Sequence, residues 1–250
     1  AGLPDFSETS CEVIGAESHY GPARRVERVR EVDVKVAAKH DSARGIGGLL
    51  KEMVGMALTA PPGLTGFAGA RAKPSPVVRL FSMIVPKKDV DITVECQGER
   101  FRCNDTVTEV FREGQHSSPV PPEAAAGGDA VAVPLEALAW GRSGDKGNKA
   151  NIGIIARHST FVPYIAGQIT PARVAGLFCH FLAAGQDRPV ERFYLPGPAA
   201  FNFLLHDVLG GGGVASLRTD PQGKGYAQLL LAESVLVPPD LAAQFELDIL

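Results

Sequence analysis

One stretch near the middle, residues 114 to 130, "GQHSSPVPPEAAAGGDA", does most to limit what this chain can fold into. Its prolines cannot donate to a helix or a sheet ladder, its glycines resist both, and no hydrophobic period runs through it. Such a segment reads as an exposed connector between folded units, the alternative being a long surface loop inside one domain. The expected organisation is therefore a first unit over 1 to 113, the linker 114 to 130, a second unit over 131 to 237 and a tail over 238 to 250. With 250 residues of which 45% are hydrophobic, there is enough apolar material for one or two cores.

Charge and cysteine usage narrow the classes of partner. The net charge is −3 and the sequence pI about 6.1, so no basic excess drives binding to nucleic acid. No apolar run is long enough to suggest a membrane span, and no membrane partner is expected. The opening "AGLPDFSETS" has neither a basic segment before an apolar one nor an initiator Met, so it reads as a processed chain or the back part of a longer one. Cys11, Cys96, Cys103 and Cys179 form no C-x-x-C pair and imply no metal site. Cys96 and Cys103 flank "QGER", which looks like a hairpin turn across which a disulfide is conceivable. Without a secretion signal, reduced core cysteines in a cytoplasmic protein are the expectation.

In the first unit, β-branched residues in "SCEVIGA" (10 to 16) and "VREVDVKVAAKH" (29 to 40) predict strands. Residues 43 to 58 place Ile46, Leu49, Leu50, Met53 and Leu58 at helical spacing, and the interspersed glycines suggest close packing against a neighbour. A Pro/Gly-dense loop then leads into two further strand-like segments, "VVRLFSMIVP" (77 to 86) and "DVDITVEC" (89 to 96). The result is mixed α/β, without the repeating units of a complete doubly wound domain.

The second unit predicts a strand through "AVAVPLEALAWGRSG" (130 to 144) running into a glycine loop, then a strand at "ANIGIIAR" (150 to 157). Thr170 and Pro171 suit the N-cap and first position of a helix whose apolar face is Val174, Leu177, Phe178 and Phe181, ending near Gly185. "VERFYLP" (190 to 196) reads as a strand and "AAFNFLLHDVL" (199 to 209) as a helix ended by Gly210 to Gly213. "VASLRTD" (214 to 220) reads as extended and "YAQLLLAESVLV" (226 to 237) as strand or helix. The fold class expected is α+β, a ferredoxin-like α/β sandwich preceded by the end of a larger mixed α/β domain.

Two glycine clusters carry the candidate chemistry. "WGRSGDKGN" (140 to 148) lacks the spacing of a P-loop or a hydrolase elbow. Its Gly144 and Gly147 amides still permit an anion-binding concavity, with charge from Arg142 and Lys146 and donors from Ser143, Asn148 and Asn151. A tight interstrand turn is the alternative. The second cluster, Gly210, Gly211, Gly212 and Gly213, nominally fits a dinucleotide fingerprint, but a helix before it and an extended segment after it are the wrong context, and no cofactor is assigned. His206 adjoins this run and is, with Asp145, the acid/base candidate. His180 reads as structural, and Lys224-Gly225-Tyr226-Ala227 opens like an RNA-recognition signature whose later aromatic positions hold Gln228 and Leu231.

Taken in order, "PPGLTGFAGARAKPSPVVRLFSMIVPKKDV" (61 to 90), "LAWGRSGDKGNKANIGIIAR" (138 to 157) and the segment from Val190 to Leu231 resemble the acyclic terpene utilisation protein A family. The resemblance implies a large N-terminal α/β domain, of which this chain would hold the end, followed by a ferredoxin-like domain. It also implies a place in the catabolism of acyclic terpenoids through branched acyl-CoA intermediates. Two readings follow: an enzyme, or part of one, acting on an anionic acyl-CoA or carboxylate, and a non-catalytic ligand-binding or assembly module that pairs as a homo-oligomer. The resemblance turns "WGRSGDKGN" toward a ligand loop. Convergence of the two glycine clusters is required by the first reading, and an apolar patch on an open sheet face favours the second.

Overall fold

A computed structural model describes residues 2–60, 62–66, 72–103, 117–124 and 127–250. The expected linker lies partly outside these residues, and its described stretches, 117–124 and 127–130, are irregular. The chain is α+β. Strands β1 (Glu8–Ile14) and β2 (Asp33–Lys39) form one antiparallel ladder and are followed by helix α1 (Ala43–Thr59). Strands β3 (Ile92–Cys96) and β4 (Glu99–Cys103) form a separate hairpin.

The second half runs β5 (Val131–Pro134), α2 (Leu135–Leu138), β6 (Ala139–Lys146), β7 (Lys149–Ala156), α3 (Val162–Gln168) and α4 (Pro171–Leu177). It continues through β8 (Val190–Leu195), β9 (Ala200–Leu205), α5 (Tyr226–Leu231), β10 (Ser234–Val237) and α6 (Pro239–Gln244). The main sheet is antiparallel in the order β6-β7-β9-β8, and β10 pairs with β5. From β7 onward the order is βαββαβ, the ferredoxin-like pattern, in which the third strand lies between the first and second. The observed neighbours β7, β9 and β8 obey it. The departure is at the edge: β6 pairs with β7 where the last strand of the pattern belongs, and β10 joins β5 instead.

Several local expectations change. Residues 200 to 205 form a strand, not a helix: Phe201, Phe203 and Leu205 point into the core while Asn202 and Leu204 point out, a period of two that a short apolar run conceals. The strand expected over 130 to 144 is broken by α2, so β5 and β6 belong to different ladders. The loop expected at "WGRSGDKGN" is strand as far as Lys146, leaving only Gly147 and Asn148 as a two-residue turn. Thr170 caps α4 as expected, its hydroxyl accepting from Arg173 N, but the helix stops at Leu177. Residues 77 to 86 take no strand pairing and their apolar side chains are exposed. The segment 226 to 237 is both helix and strand, and the expected tail carries α6, whose Leu241 and Ala242 are buried.

The cysteines are free and exposed, so the expected core positions are wrong. A Cys96–Cys103 bridge is excluded by register: the turn is Gln97-Gly98, both at positive φ, and Cys103 pairs with Ile92 at the far end of the hairpin. Of the glycines in α1, Gly45 packs closely, since a Cβ there would meet the His40 ring at 2.4 Å; Gly47, Gly48 and Gly55 have no close neighbour among the described residues.

The hydrophobic core lies almost entirely at Val133 and beyond. Ile152 and Ile154 from β7, Phe201 and Phe203 from β9, Phe178 after α4 and Tyr226 and Leu229 from α5 are all essentially inaccessible. The first half is held to this core by specific contacts. Glu12 Oε2 accepts from Thr219 N and Oγ1, Lys35 Nζ donates to Leu217 O, and Arg25 Nη2 donates to Ala232 O. A 3-10 turn at Ser18–Ala23 inserts His19 among Phe181, Tyr20 and Tyr226, while His180 Nε2 meets His19 O at 3.0 Å.

Burial lowers the pKa of both imidazoles, with Arg218 and the mutual repulsion of the pair adding to it at His19, against the attraction of Asp220 and Glu12. Their folded values lie below the unfolded one, so the unfolded chain binds more protons as pH falls below about 6.5. Stability should then be level above pH 7 and decline as pH drops from about 6.5 through the lowered values. Melting temperatures measured from pH 7.5 to 5.5 should fall for the wild type and fall less for the double variant His19→Gln, His180→Gln; parallel curves would refute this source of acid lability.

Candidate functional site

Both sequence-derived clusters meet at the β6–β7 hairpin, and strand alternation decides which side chains share a surface. Ser143 points inward and is 4% exposed, the one buried polar residue among those described. Its hydroxyl donates to Lys224 O at 3.0 Å and accepts from Ala227 N at 2.9 Å. Both of its roles are therefore taken by the start of α5, not by a ligand. Asp145, two residues on, shares that side, with Oδ1 3.7 Å from Lys224 Nζ.

The hairpin tip and the glycine run are bolted together. Asn148 Oδ1 accepts from Gly211 N at 2.8 Å, its Nδ2 donates to Asp207 Oδ1 at 3.1 Å, and its carbonyl accepts from Val208 N and Leu209 N. Gly212, at φ +88, packs so closely that a Cβ would stand 2.9 Å from Gly147 O. The clusters converge as the first reading requires, but Asn148 and the Gly211 amide satisfy each other there. Gly210 and Gly211 also line a cleft of about 890 Å³ against Lys39, His40, Ser75 and Arg79. Gly213 lies beside Gln222 and Asp145.

Helices α4 and α5 pack on one face of the main sheet. Its other face, among the described residues, is open. Register places the outward rows side by side: Trp140, Ile155, Ala200 and Leu195; then Arg142, Gly153, Asn202 and Phe193; then Gly144, Asn151, Leu204 and Glu191. Trp140, Ile155, Phe193 and Leu195 are 54%, 46%, 47% and 42% exposed and form an apolar end. At the other end Lys146 and Lys149 stand directly opposite each other. Because Gly144 and Gly153 carry no side chains, a hollow of about 510 Å³ opens between Trp140, Arg142, Lys146, Asn151, Ile155 and Lys224.

His206 continues the outward side of β9, and its Nε2 lies 2.6 Å from Glu191 Oε1. His206 thus stands on the open side of β9, while Asp145 alternates to the other side of edge strand β6 and reaches only the rim of the hollow, beside Lys224. Asn151 Nδ2 donates to Asn202 Oδ1 at 3.2 Å, which keeps the middle of the open face polar.

Residues 133–236 match the family model described as AtuA ferredoxin-like domain, and residues 1–96 match that of acyclic terpene utilisation family protein AtuA. The chain belongs to the acyclic terpene utilisation family. Membership gives it a part in terpene catabolism. No curated protein and no solved structure matches it. The ferredoxin-like match begins in β5 and ends in β10, so it contains the whole open face. Among the described residues no group of His, Cys, Asp and Glu is arranged to hold a metal, and no helix is long and apolar enough to cross a membrane.

Sequence reasoning about this member of the family missed Lys149, Lys224 and Glu191. Lys149 lies one residue past "WGRSGDKGN", and Lys224 opens the segment that begins like an RNA-recognition signature. Glu191 has no local signal at all, because only the β8–β9 register brings it to His206. The geometry sorts the candidates by role: Ser143→Ala should lose about 1–3 kcal/mol of stability by orphaning the Ala227 amide and Lys224 carbonyl. Arg142→Ala, exposed and without an ion-pair partner among the described residues, should change it by less than about 0.5 kcal/mol. Urea denaturation giving equal losses would contradict this division.

Proposed function

We propose that the open sheet face binds an amphipathic anion, a branched acyl-CoA or a related carboxylate of acyclic terpenoid degradation, and that the chain is a catabolic enzyme or part of one. The observation that carries this reading is the polarity gradient across one sheet face. Lys146, Lys149 and Lys224 gather at one end and Trp140, Ile155 and Leu195 at the other, with Arg142 and Phe193 in the row between, on opposite edge strands. Like charges directly opposite each other on a ladder repel, and an anion between Lys146 and Lys149 relieves that cost. The side-chain-free backbone at Gly153 admits a ligand to the sheet itself, while at Gly144 the Lys224 ammonium already reaches over the strand. Arg142 offers a planar fork for carboxylate or phosphate oxygens, and the apolar rows suit a branched chain.

Isovaleryl-CoA, CoA and isovalerate, titrated calorimetrically into the protein, test this. Isovaleryl-CoA should bind most tightly, since it engages both ends, and Arg142→Ala or Lys146→Ala should each weaken it about tenfold, the loss of one charge-assisted contact. Heat-silent titrations together with an unshifted melting temperature for all three would sink the proposal.

A second reading, an assembly module, is favoured by the same four exposed apolar side chains. Arg142 lies on edge strand β6 and Phe193 and Glu191 on the opposite edge strand β8, so a second copy turned about an axis along the strands sets each Arg142 over the partner copy's β8, near its Phe193 and Glu191. In that case sedimentation velocity should report a dimer that Phe193→Glu converts to monomer; a monomer across the micromolar range would dismiss it.

A further inference from the structure

The chain has six histidines, and their surroundings differ in a way that singles out one. His19 Nε2 and His180 Nδ1 are sealed from solvent without a hydrogen-bond partner. Both ring nitrogens of His40 are engaged, Nε2 with Pro4 O and Nδ1 with Ser42 N. His158 is turned to Thr160 and packed against Phe161 and Phe245, with no carboxylate partner among the described residues. His206 alone among the described histidines has one nitrogen hydrogen-bonded to a carboxylate side chain, Nε2 at 2.6 Å from Glu191 Oε1. Its Nδ1 has no partner among the described residues and is not one of the sealed atoms.

A carboxylate only accepts, so Nε2 must carry the proton and Nδ1 the lone pair in the neutral ring. The acid next in sequence does not compete, because Asp207 Oδ1 is taken by Asn148. The backbone that carries the ring is also held: His206 N donates to Pro189 O, and its carbonyl accepts from Gln186 Nε2. The register that pairs Ala150 with Leu205 puts Lys149 beside His206, with Lys146 one strand further. A fixed base and two ammonium groups therefore lie in one row of the open face.

We propose that Glu191 and His206 form a proton-transfer dyad for a carbon acid next to an acyl thioester carbonyl. Glu191 is the positioning residue. The Nδ1 lone pair takes the proton from the carbon beside the carbonyl, the C–H electron pair becomes the carbon–carbon π bond, and the carbonyl π pair moves to oxygen. The resulting enolate oxygen is stabilised by the Lys149 and Lys146 ammonium groups, and return of the proton to either carbon face completes the cycle. No oxidant or reductant is needed. The inference rests on the anion-binding reading above for its substrate, though not for its geometry.

Two measurements on the full chain test it. Long-range proton–nitrogen NMR at pH 8 should show His206 as the Nε2–H tautomer; Glu191→Ala should give a tautomer mixture, and Glu191→Gln, which keeps an acceptor oxygen, should restore the single form. An Nδ1–H tautomer in the wild type, or no change in Glu191→Ala, overturns the positioning role. Isovaleryl-CoA incubated with the protein in D2O should take up deuterium beside its carbonyl, at least 100-fold more slowly with His206→Gln and at least tenfold more slowly with Glu191→Ala. Calorimetry on the same samples separates the failures: binding without deuterium uptake overturns the dyad and leaves the binding reading standing, whereas no binding overturns the binding reading itself.

Discussion

Burial of one face only of the β6-β7-β9-β8 sheet is the constraint on which the rest of this structure depends. Ile152, Ile154, Phe201, Phe203 and Leu205 all project to the side covered by α4 and α5, and their removal from water supplies the core. Each of these residues forces its neighbours in sequence to the other side. The composition of the open face is therefore not free: it is whatever stands between the core positions. In β6 and β7 those positions hold Trp140, Arg142, Gly144, Lys146, Lys149, Asn151, Gly153 and Ile155, the residues that give the face its apolar and cationic ends.

Rigidity of that face is set from behind and from the tip. Ser143 fastens the middle of edge strand β6 to the first turn of α5, and Asn148 fastens the β6–β7 turn to the run at Gly211. Arg218 adds a third tie, donating to Val208 O and to Phe181 O and lying 4.5 Å from the Phe181 ring centroid. Tyr226, whose hydroxyl donates to Val208 O, is buried enough that its pKa is pushed up to about 12, so it stays a neutral donor throughout the working range. An edge strand held at several points is a better platform for a ligand than a loop of the same composition.

What was legible in the sequence divides along the same physical line. Periodicity and caps identified β1, β2, α1, β7, β8 and the start of α4, because each is decided by residues close together in the chain. The segment 199 to 209 misled because "AFNFLL" is apolar on both faces, Leu204 and Ala200 outward as well as Phe201 and Phe203 inward, so no period shows. Assigning it as a strand is what makes the pattern from β7 onward ferredoxin-like. At the candidate site the residue types at 142, 146 and 206 were visible, but their sidedness was not. A one-residue alternation turns Ser143 into the core, Asp145 to the half-buried edge beside Lys224, and Arg142 and Lys146 to solvent, and that depends on knowing "WGRSGDKGN" to be strand. The Glu191–His206 contact is beyond any local reading, since it is created by register between two strands.

The same sheet also keeps docking and binding apart. The first half attaches through Glu12, His19, Arg25 and Lys35 to Thr219, Phe181, Ala232 and Leu217, all in or beside the elements on the covered side. None of these attachments uses a residue of the outward rows. Changes in how the first half is held, including protonation of the His19 and His180 pair, therefore act on the backs of the strands. To reach the open face they must pass through packed residues such as Tyr226 and the Ser143 hydroxyl, which moves β6 and α5 only as a unit. A face built this way has its shape fixed by the core and its charge by the edge strands, and the two can be altered independently by substitution at alternate positions.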